Sequence, residues 1–500
     1  MIEGLLAGLA TLARPVNLGM VVLGCASGTF IGMLPGLGPI TAIALLIPLT
    51  YGLEPASALI LMAGVYYGAV FGGSTSSILL NAPGVAGTVA TTFDGHPLAR
   101  QGKAGKALAV AAYASFSGGT LAALLLLFAA PALASVALGF HSPDYFAVSI
   151  LALTSVSAFA ARGHLAKAVL MTVLGLMLAT VGQDVASDVP RFTFGSIELL
   201  DGISFLLLAM ATFAMSEAFL SVLQGRGAAP PPPTAELASL RVSRAEAREV
   251  APPIARASAL GFFVGVLPGA GATIASFLAY AMERSLAPLR ERDAFGRGSL
   301  RGLAAPEAAN NAACSGSFVP LLTLGIPGSG TTAVMLGALI SAGVQPGPRL
   351  LVDRPDVFWS VIVSMYLGNV LLLVLNLPLI PWLARILLVP KGLLVPLILF
   401  FSVLGVYAVS LSAFDVVLMI AIALAATLLR LLDYPLPPLI LGFVLGPLME
   451  ENLRRSLILY DDSLRFLWQR PTTAAILVAT LAILAGRGVS VLRARRRPAL

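Results

Sequence analysis

Two short stretches decide how this chain folds: Gly32-Met33-Leu34-Pro35-Gly36-Leu37-Gly38 in the first half and Gly265-Val266-Leu267-Pro268-Gly269-Ala270-Gly271 in the second, 233 residues apart. Each interrupts an apolar segment, and each is followed by a second Pro-Gly element. The first half carries Gly72-Gly73-Ser74-Thr75-Ser76-Ser77 and then Asn81-Ala82-Pro83-Gly84. The second carries Gly316-Ser317 and then Thr323-Leu324-Gly325-Ile326-Pro327-Gly328-Ser329-Gly330-Thr331-Thr332, at an offset of 244. In a chain with 49 Gly and 34 Pro one such match would be chance, but two in the same order are better explained by an internal repeat.

Composition identifies the solvent around these segments. Of 500 residues, 58% are hydrophobic and 11% charged, which does not suit a water-facing surface. Apolar runs such as 107–138, 203–223 and 358–380 reach the ~20 residues that cross ~30 Å of hydrocarbon. Alternating strand patterns of a membrane barrel are absent, so the spans are expected to be helical. The net charge of +7 is scattered in short inter-helix segments without aromatic interleaving, which reads as loop charge rather than a nucleic-acid surface. Cys25 and Cys314 fall in small-residue membrane segments and read as packing residues. The first twenty residues lack the basic start of a cleaved signal peptide and are expected to be retained, as a short interfacial helix.

Mid-chain, Pro230 to Pro233 stand in a row, and Arg241, Arg244 and Arg248 interleave with Glu236, Glu246 and Glu249. This is the texture of a soluble linker. The expected organisation is a first membrane repeat at 1–223, a cytoplasmic linker at 224–253, a second membrane repeat at 254–487 and a basic cytoplasmic tail at 488–500. Lys and Arg accumulate on the cytoplasmic side, which assigns Arg100, Lys103 and Lys106, Arg162 with Lys167, the linker, Arg385 with Lys391, and the tail. Segments 141–144, 184–201 and 450–462 mark the opposite side. Threading spans between these markers starts the halves on opposite faces, an inverted repeat. The Arg-rich stretch 283–301 then requires 254–282 to enter and leave on one side. That is too short for two spans, so a re-entrant hairpin bent at 268–271 is expected, with a partner at 21–49 bent at 35–38. The fold class is an all-α polytopic membrane protein: two inverted-topology repeats with broken helices or re-entrant hairpins, about 10 to 12 membrane segments.

A Pro removes a backbone donor and a Gly permits helix-breaking conformations, so each Pro-Gly element exposes peptide groups inside the membrane. Half-helix N-termini meeting there would offer free N–H groups and a positive dipole end to an anionic substrate group. The competing reading is a set of kinks and close-packing glycines. Hydroxyls and amides favour binding, because such groups are costly in hydrocarbon unless paired or hydrated. The candidate substrate-binding residues are Gly36, Gly38, Ser74, Thr75, Ser76, Asn81, Pro83 and Gly84, with Ser77 and Thr88 nearby. In the second half they are Gly269, Gly271, Asn310, Asn311, Thr323, Pro327, Gly328, Ser329, Thr331 and Thr332. Neither cluster holds a Lys or Arg, so a coupling cation would assist anion binding. Na+ near the same loops is expected ahead of H+, because neither cluster contains Asp, Glu or His. Glu217, Glu283, Glu307 and Asp415 are placed at span ends as interfacial acids. Tyr66 and Tyr67 either line the path or pack. No paired acids, HExxH, GxSxG or Walker motif indicates an enzyme, and His96, His141 and His164 fall in expected loops. A passive channel would leave the duplication unexplained.

The same stretches carry a resemblance. The run 32–50, then Tyr66-Tyr67-Gly68, 71–84 and Asp94-Gly95-His96-Pro97, with 265–271, Ala305-Pro306-Glu307-Ala308-Ala309-Asn310-Asn311-Ala312 and 320–328, resembles the TctA-type large permease of the tripartite tricarboxylate transporters over nearly the whole chain. The resemblance implies a secondary transporter in the bacterial inner membrane that imports tri- or dicarboxylates, coupled to an ion gradient, Na+ or H+, and needing no other cofactor. It also implies a small TctB-like membrane subunit and a periplasmic TctC-like solute-binding protein as partners. A stand-alone organic-anion carrier of the same design is the alternative.

Overall fold

The long apolar runs fold as helices, because a helix satisfies its own backbone groups where lipid offers no partner. The computed structural model describes residues 2–34, 37–160, 165–184, 187–223, 240–269, 271–380 and 391–495. Among these, the only strands are the paired Gly182–Gln183 and Pro190–Arg191. Among the described residues, seven helical segments are long and apolar enough to cross a membrane, and five shorter apolar helices accompany them. The chain is a multi-pass membrane protein.

The first half runs through α1 (Ile2–Leu12), α2 (Pro15–Met33), α3 (Gly38–Leu46, extended by a 3-10 turn Ile47–Thr50), α4 (Pro55–Leu80), α5 (Val89–Leu98, led in by a 3-10 turn Ala86–Thr88), α6 (Ala104–Ala137), α7 (Ser142–Ala160) and α8 (Leu165–Ala179). It closes with α9 (Phe205–Ala209) and α10 (Ser216–Leu223), joined by the π-helical Met210–Met215. The second half runs through α11 (Arg244–Val266), α12 (Gly271–Leu286), α13 (Leu289–Arg292), α14 (Leu300–Gly316), α15 (Phe318–Leu324), α16 (Gly330–Ser341), α17 (Leu350–Asp353) and α18 (Pro355–Asn376). It ends with α19 (Lys391–Ser410), α20 (Ala413–Leu431), α21 (Pro437–Leu459), α22 (Phe466–Gln469) and α23 (Pro471–Arg495). Helix α11 begins inside the 224–253 segment because Ser243 and Glu246 form a capping box that satisfies its first orphan donors. Helix α5 includes His96, which sequence reading puts in a loop; its Nδ1 lies 3.1 Å from the Ile78 carbonyl. His164 lies outside the described residues.

Two helical hairpins organise the halves, and each is closed at its mouth by an ion pair. Arg14, just before α2, donates to Glu54, just after the α3 extension, at 2.8 Å. Arg256 on α11 grips Glu283 on α12 in a bidentate pair at 2.7 and 2.8 Å. Each hairpin packs its first arm against a long helix, α2 on α4 and α11 on α14. These contacts are backbone to backbone. A β-carbon on Gly32 would lie 2.2 Å from the Ala69 carbonyl oxygen, and one on Gly265 would lie 2.3 Å from that of Ala313. Only glycine permits such an approach, and it gains contact area where lipid supplies no hydrophobic drive between helices. Every residue of α4 from Ala56 to Leu79 is buried, as is every residue of α14 from Gly302 to Gly316. Outer helices α19 and α20 turn large apolar side chains outward, Phe400 and Val417 among them.

Candidate functional site

The site grows from four helix breaks whose geometry repeats at the two sequence offsets. Where α2 and α11 stop, Leu34 and Leu267 turn to extended backbone, and their N–H groups donate to the carbonyls of Ile31 and Val264. Gly38 and Gly271 restart the chain with φ of 65° and 59°, in the left-handed region that glycine enters at little cost. Where α4 and α15 stop, Asn81 and Gly325 occupy the same left-handed region at φ 53° and 68°, and their N–H groups donate to the carbonyls of Ser76 and Pro320. The Pro83-Gly84 and Pro327-Gly328 turns then fold back onto the hairpin tips. A β-carbon on Gly84 would lie 2.0 Å from the Gly32 carbonyl oxygen, and one on Gly328 would lie 3.0 Å from that of Gly265. Gly36 lies outside the described residues.

The four breaks come together. Gly269 N–H donates to the Gly328 carbonyl at 2.9 Å. Across the halves, a β-carbon on Gly330, at the start of α16, would touch Ile40 at the start of α3, at 3.2 Å; one on Gly87, leading into α5, would touch Ala272 at the start of α12, also at 3.2 Å. Four helix starts therefore share one region, with Gly38, Gly269, Gly271 and Gly330 partly accessible.

Most of the surrounding hydroxyls close on their own chain. Ser76 and Ser77 donate to the Gly73 carbonyl at 3.2 and 2.8 Å, Ser77 also reaches Thr88, and Thr323 donates to the Val319 carbonyl at 2.7 Å. Ser329 and Thr332 cap α16 reciprocally. These groups hold the breaks in shape. Asn310 donates to the Gly87 carbonyl at 3.4 Å, and Asn311 to the Asn310 amide oxygen at 2.7 Å, tying α14 to the lead-in of α5. Asn81 is exposed at its turn, Thr331 is buried in the first turn of α16, and Thr75 lines a small cavity between α4, α6 and α18. Tyr66 and Tyr67 are buried and stack around Phe318 at 6.3 and 5.9 Å between ring centres.

One residue is misplaced by sequence reading. Glu307 is not interfacial: it is fully buried in α14. Its carboxylate accepts from Ser74 of α4 at 2.7 Å, from Ser115 of α6 at 2.8 Å and from Thr91 of α5. The statement that the first polar cluster holds no acid is therefore true along the chain and wrong in space. The available signal was its company: three and four residues away stand Leu303, Ala304, Asn310 and Asn311, the neighbours of an interior helix face. The other three acids are as different from Glu307 as from one another. Glu283 is also buried but is paired with Arg256 and Arg301, Glu217 pairs with Arg430, and Asp415 sits in the first turn of α20, whose N-cap is Ser412.

The model of the tripartite tricarboxylate transporter TctA family matches residues 18–441. An uncharacterized 52.8 kDa protein in the TAR-I ttuC' 3'region of Agrobacterium vitis is 42% identical over 482 residues, covering 96% of this chain and 95% of that protein. An uncharacterized protein in the TAR-II ttuC' 3'region of the same organism is 42% identical over 217 residues, 43% of this chain and 89% of the relative. No solved structure matches. The family is one of transporters, not enzymes, and the chain belongs to it: this is a TctA-family membrane component of a tripartite tricarboxylate transporter.

Proposed function

We propose that the chain is the large permease subunit of a binding-protein-dependent secondary transporter that imports tri- or dicarboxylates across the bacterial inner membrane by ion-coupled alternating access. A small membrane subunit and a periplasmic solute-binding protein are its partners. The observation that carries this reading is the convergence of four helix starts, from both halves, among buried polar groups. Free N–H groups and aligned peptide dipoles there suit a carboxylate group without a Lys or Arg. Gly38, Gly84, Gly271, Gly328 and Thr331 are the residues nearest that role.

The inverted arrangement of the halves is part of the proposal, and the company kept by the charged loops supports it. At the mouth of the α11–α12 hairpin, Arg301 joins Glu283, Gln101 donates to the Arg297 carbonyl and Lys106 pairs with Glu246. This gathers the loops read as cytoplasmic. Elsewhere Arg454 pairs with Asp184, Arg191 with Glu450, and Arg470 with Asp144, gathering the segments read as external. Two re-entrant hairpins entering from opposite faces then bring their tips to one level.

The test is reconstitution in liposomes with labelled citrate and succinate, with and without the two partners and an imposed cation gradient. Gradient-driven uptake that needs all three components is expected. Uptake by this chain alone would replace the tripartite reading with a stand-alone carrier, and no uptake of either probe would overturn the carboxylate assignment.

A further inference from the structure

Among the described residues of the polar cluster, Glu307 is a fully buried acid held by hydroxyls and by no ion pair: its carboxylate rests on Ser74, Thr91 and Ser115, each from a different helix. Two of these three hydroxyls, Ser74 and Ser115, also line the cavity between α4, α6 and α18, together with Thr75 and Asn376. Asn376 is buried, and its amide oxygen has no hydrogen-bond partner. A water in this cavity therefore has several polar partners, as a buried water requires. The lining reaches Leu108, two residues from Lys106 at the end of α6 that faces the linker.

We propose that Glu307 is a proton-binding site of the transport cycle, reached through this cavity. A buried carboxylate is stable only if fully hydrogen-bonded, and three donating hydroxyls supply that for the charged form. A hydroxyl is also an acceptor. When a hydronium in the cavity gives its proton to the Glu307 oxygen that Ser74 and Ser115 share, leaving water, one of these two hydroxyls rotates from donating to accepting, and the heavy atoms stay in place. One frame serves both charge states, which is what a site that loads and releases a proton needs. The other ionisable groups on the packed helices are engaged elsewhere. On α5, Asp94 accepts from the backbone N–H groups of Gly296, Gly298 and Ser299, and His96 meets the Ile78 carbonyl. On α6, Lys106 pairs with Glu246; on α11, α12 and α14, Arg256 and Arg301 pair with Glu283. Helices α4 and α15 carry no charged residue. The inference deepens the carrier reading and depends on it for its meaning, but its chemistry can be tested apart.

The first arm is infrared difference spectroscopy of the purified full chain in nanodiscs across a pH titration. Wild type is expected to show a carboxylic-acid C=O band that grows as pH falls and is missing in Glu307→Gln. Ser115→Ala keeps the carboxyl but removes one donor to its charged form, so its midpoint should rise by about one pH unit, a tenfold change in proton affinity; this variant also decides the matter if Glu307→Gln fails to fold. Identical difference spectra in wild type and Glu307→Gln, with no midpoint change in Ser115→Ala, overturn the proposal. So does loss of the band on adding Na+ at constant pH, which would make this a metal-cation site. The second arm uses liposomes with all three components. A pH gradient alone should drive accumulation of labelled citrate or succinate in wild type, and Glu307→Gln should lose it at least ~10-fold while keeping exchange of internal for external substrate. Wild-type accumulation in Glu307→Gln overturns the proposal. If wild type carries neither probe, the carboxylate reading fails and the infrared arm alone decides the proton site.

Discussion

The end of α4 and the α14–α15 pair break in the same way and are dressed differently. At the 244-residue offset, Asn81 answers to Gly325, Pro83 to Pro327 and Gly84 to Gly328, and the backbone follows. The side chains do not. Tyr66 and Tyr67 stand where Asn310 and Asn311 stand, Ala63 where Glu307 stands, and Ser74 where Phe318 stands. On one side of the molecule Tyr66 and Tyr67 pack on Phe318; on the other Glu307 meets Ser74. Like backbone breaks thus carry unlike side chains, and the buried acid sits at one of the two corresponding contacts.

The largest expected effect tests the shared scaffold. Gly32→Leu and Gly265→Leu each drive a side chain into a backbone 2.2 or 2.3 Å from where its β-carbon would be. Both should lose more than about 3 kcal/mol, beyond the usual overpacking cost because backbone cannot give way, read as lost monodisperse yield; tolerance of either would break the equivalence. Next come the hairpin mouths, which are equivalent in place and unequal in burial. Glu283→Gln leaves Arg256 and Arg301 without their buried carboxylate and should cost about 2–3 kcal/mol, less than a fully enclosed pair because Arg256 is 40% exposed. Arg14→Ala breaks a pair 57% and 66% exposed and should cost under about 1 kcal/mol, measured by the same thermal unfolding in nanodiscs.

A smaller effect separates conformation from chemistry at Asn81. Asn81→Gly keeps the left-handed turn and Asn81→Ala strains it by about 1 kcal/mol. If only the turn matters, Asn81→Gly transports like wild type; equal loss of uptake in both Asn81 variants would assign the amide to substrate. The smallest effect concerns pH. The Glu246 carboxyl is held down to about 2 by the Lys106 side chain that donates to it and by the Ser243 backbone N–H together. A lowered carboxyl stabilises the fold fully above its ordinary value of 4.5 and loses that contribution as pH falls toward 2. The pair is partly exposed, so Lys106→Ala should reduce stability at neutral pH by no more than about 1 kcal/mol and flatten its acid dependence.

The helical class and the helix ends around the four Pro-Gly elements were legible in sequence, because Pro and Gly act on the backbone locally; of the mid-chain linker, residues 224–239 lie outside the described residues. The hairpin bends could be read from loop charge, length and the Pro-Gly elements together. Which hydroxyls face a ligand could not: Ser76, Ser77, Thr323 and Thr332 look like binding residues in a list and prove to cap and brace their own turns. Glu307 escaped for the opposite reason, since its three partners lie 192 to 233 residues away and only packing of α4, α5, α6 and α14 brings them together.

One ion pair sets a clock. Asp144, at the start of α7, is held by Arg470, Thr472 and Thr473 at the start of the last helix, 326 residues later for the arginine. At synthesis rates of about 5 to 20 residues per second, the acid is made roughly 16 to 65 s before its guanidinium exists. The first half therefore cannot be finished while it is being made. Until residue 470 has been made, the carboxylate at the start of α7 must take its hydrogen bonds from interfacial water.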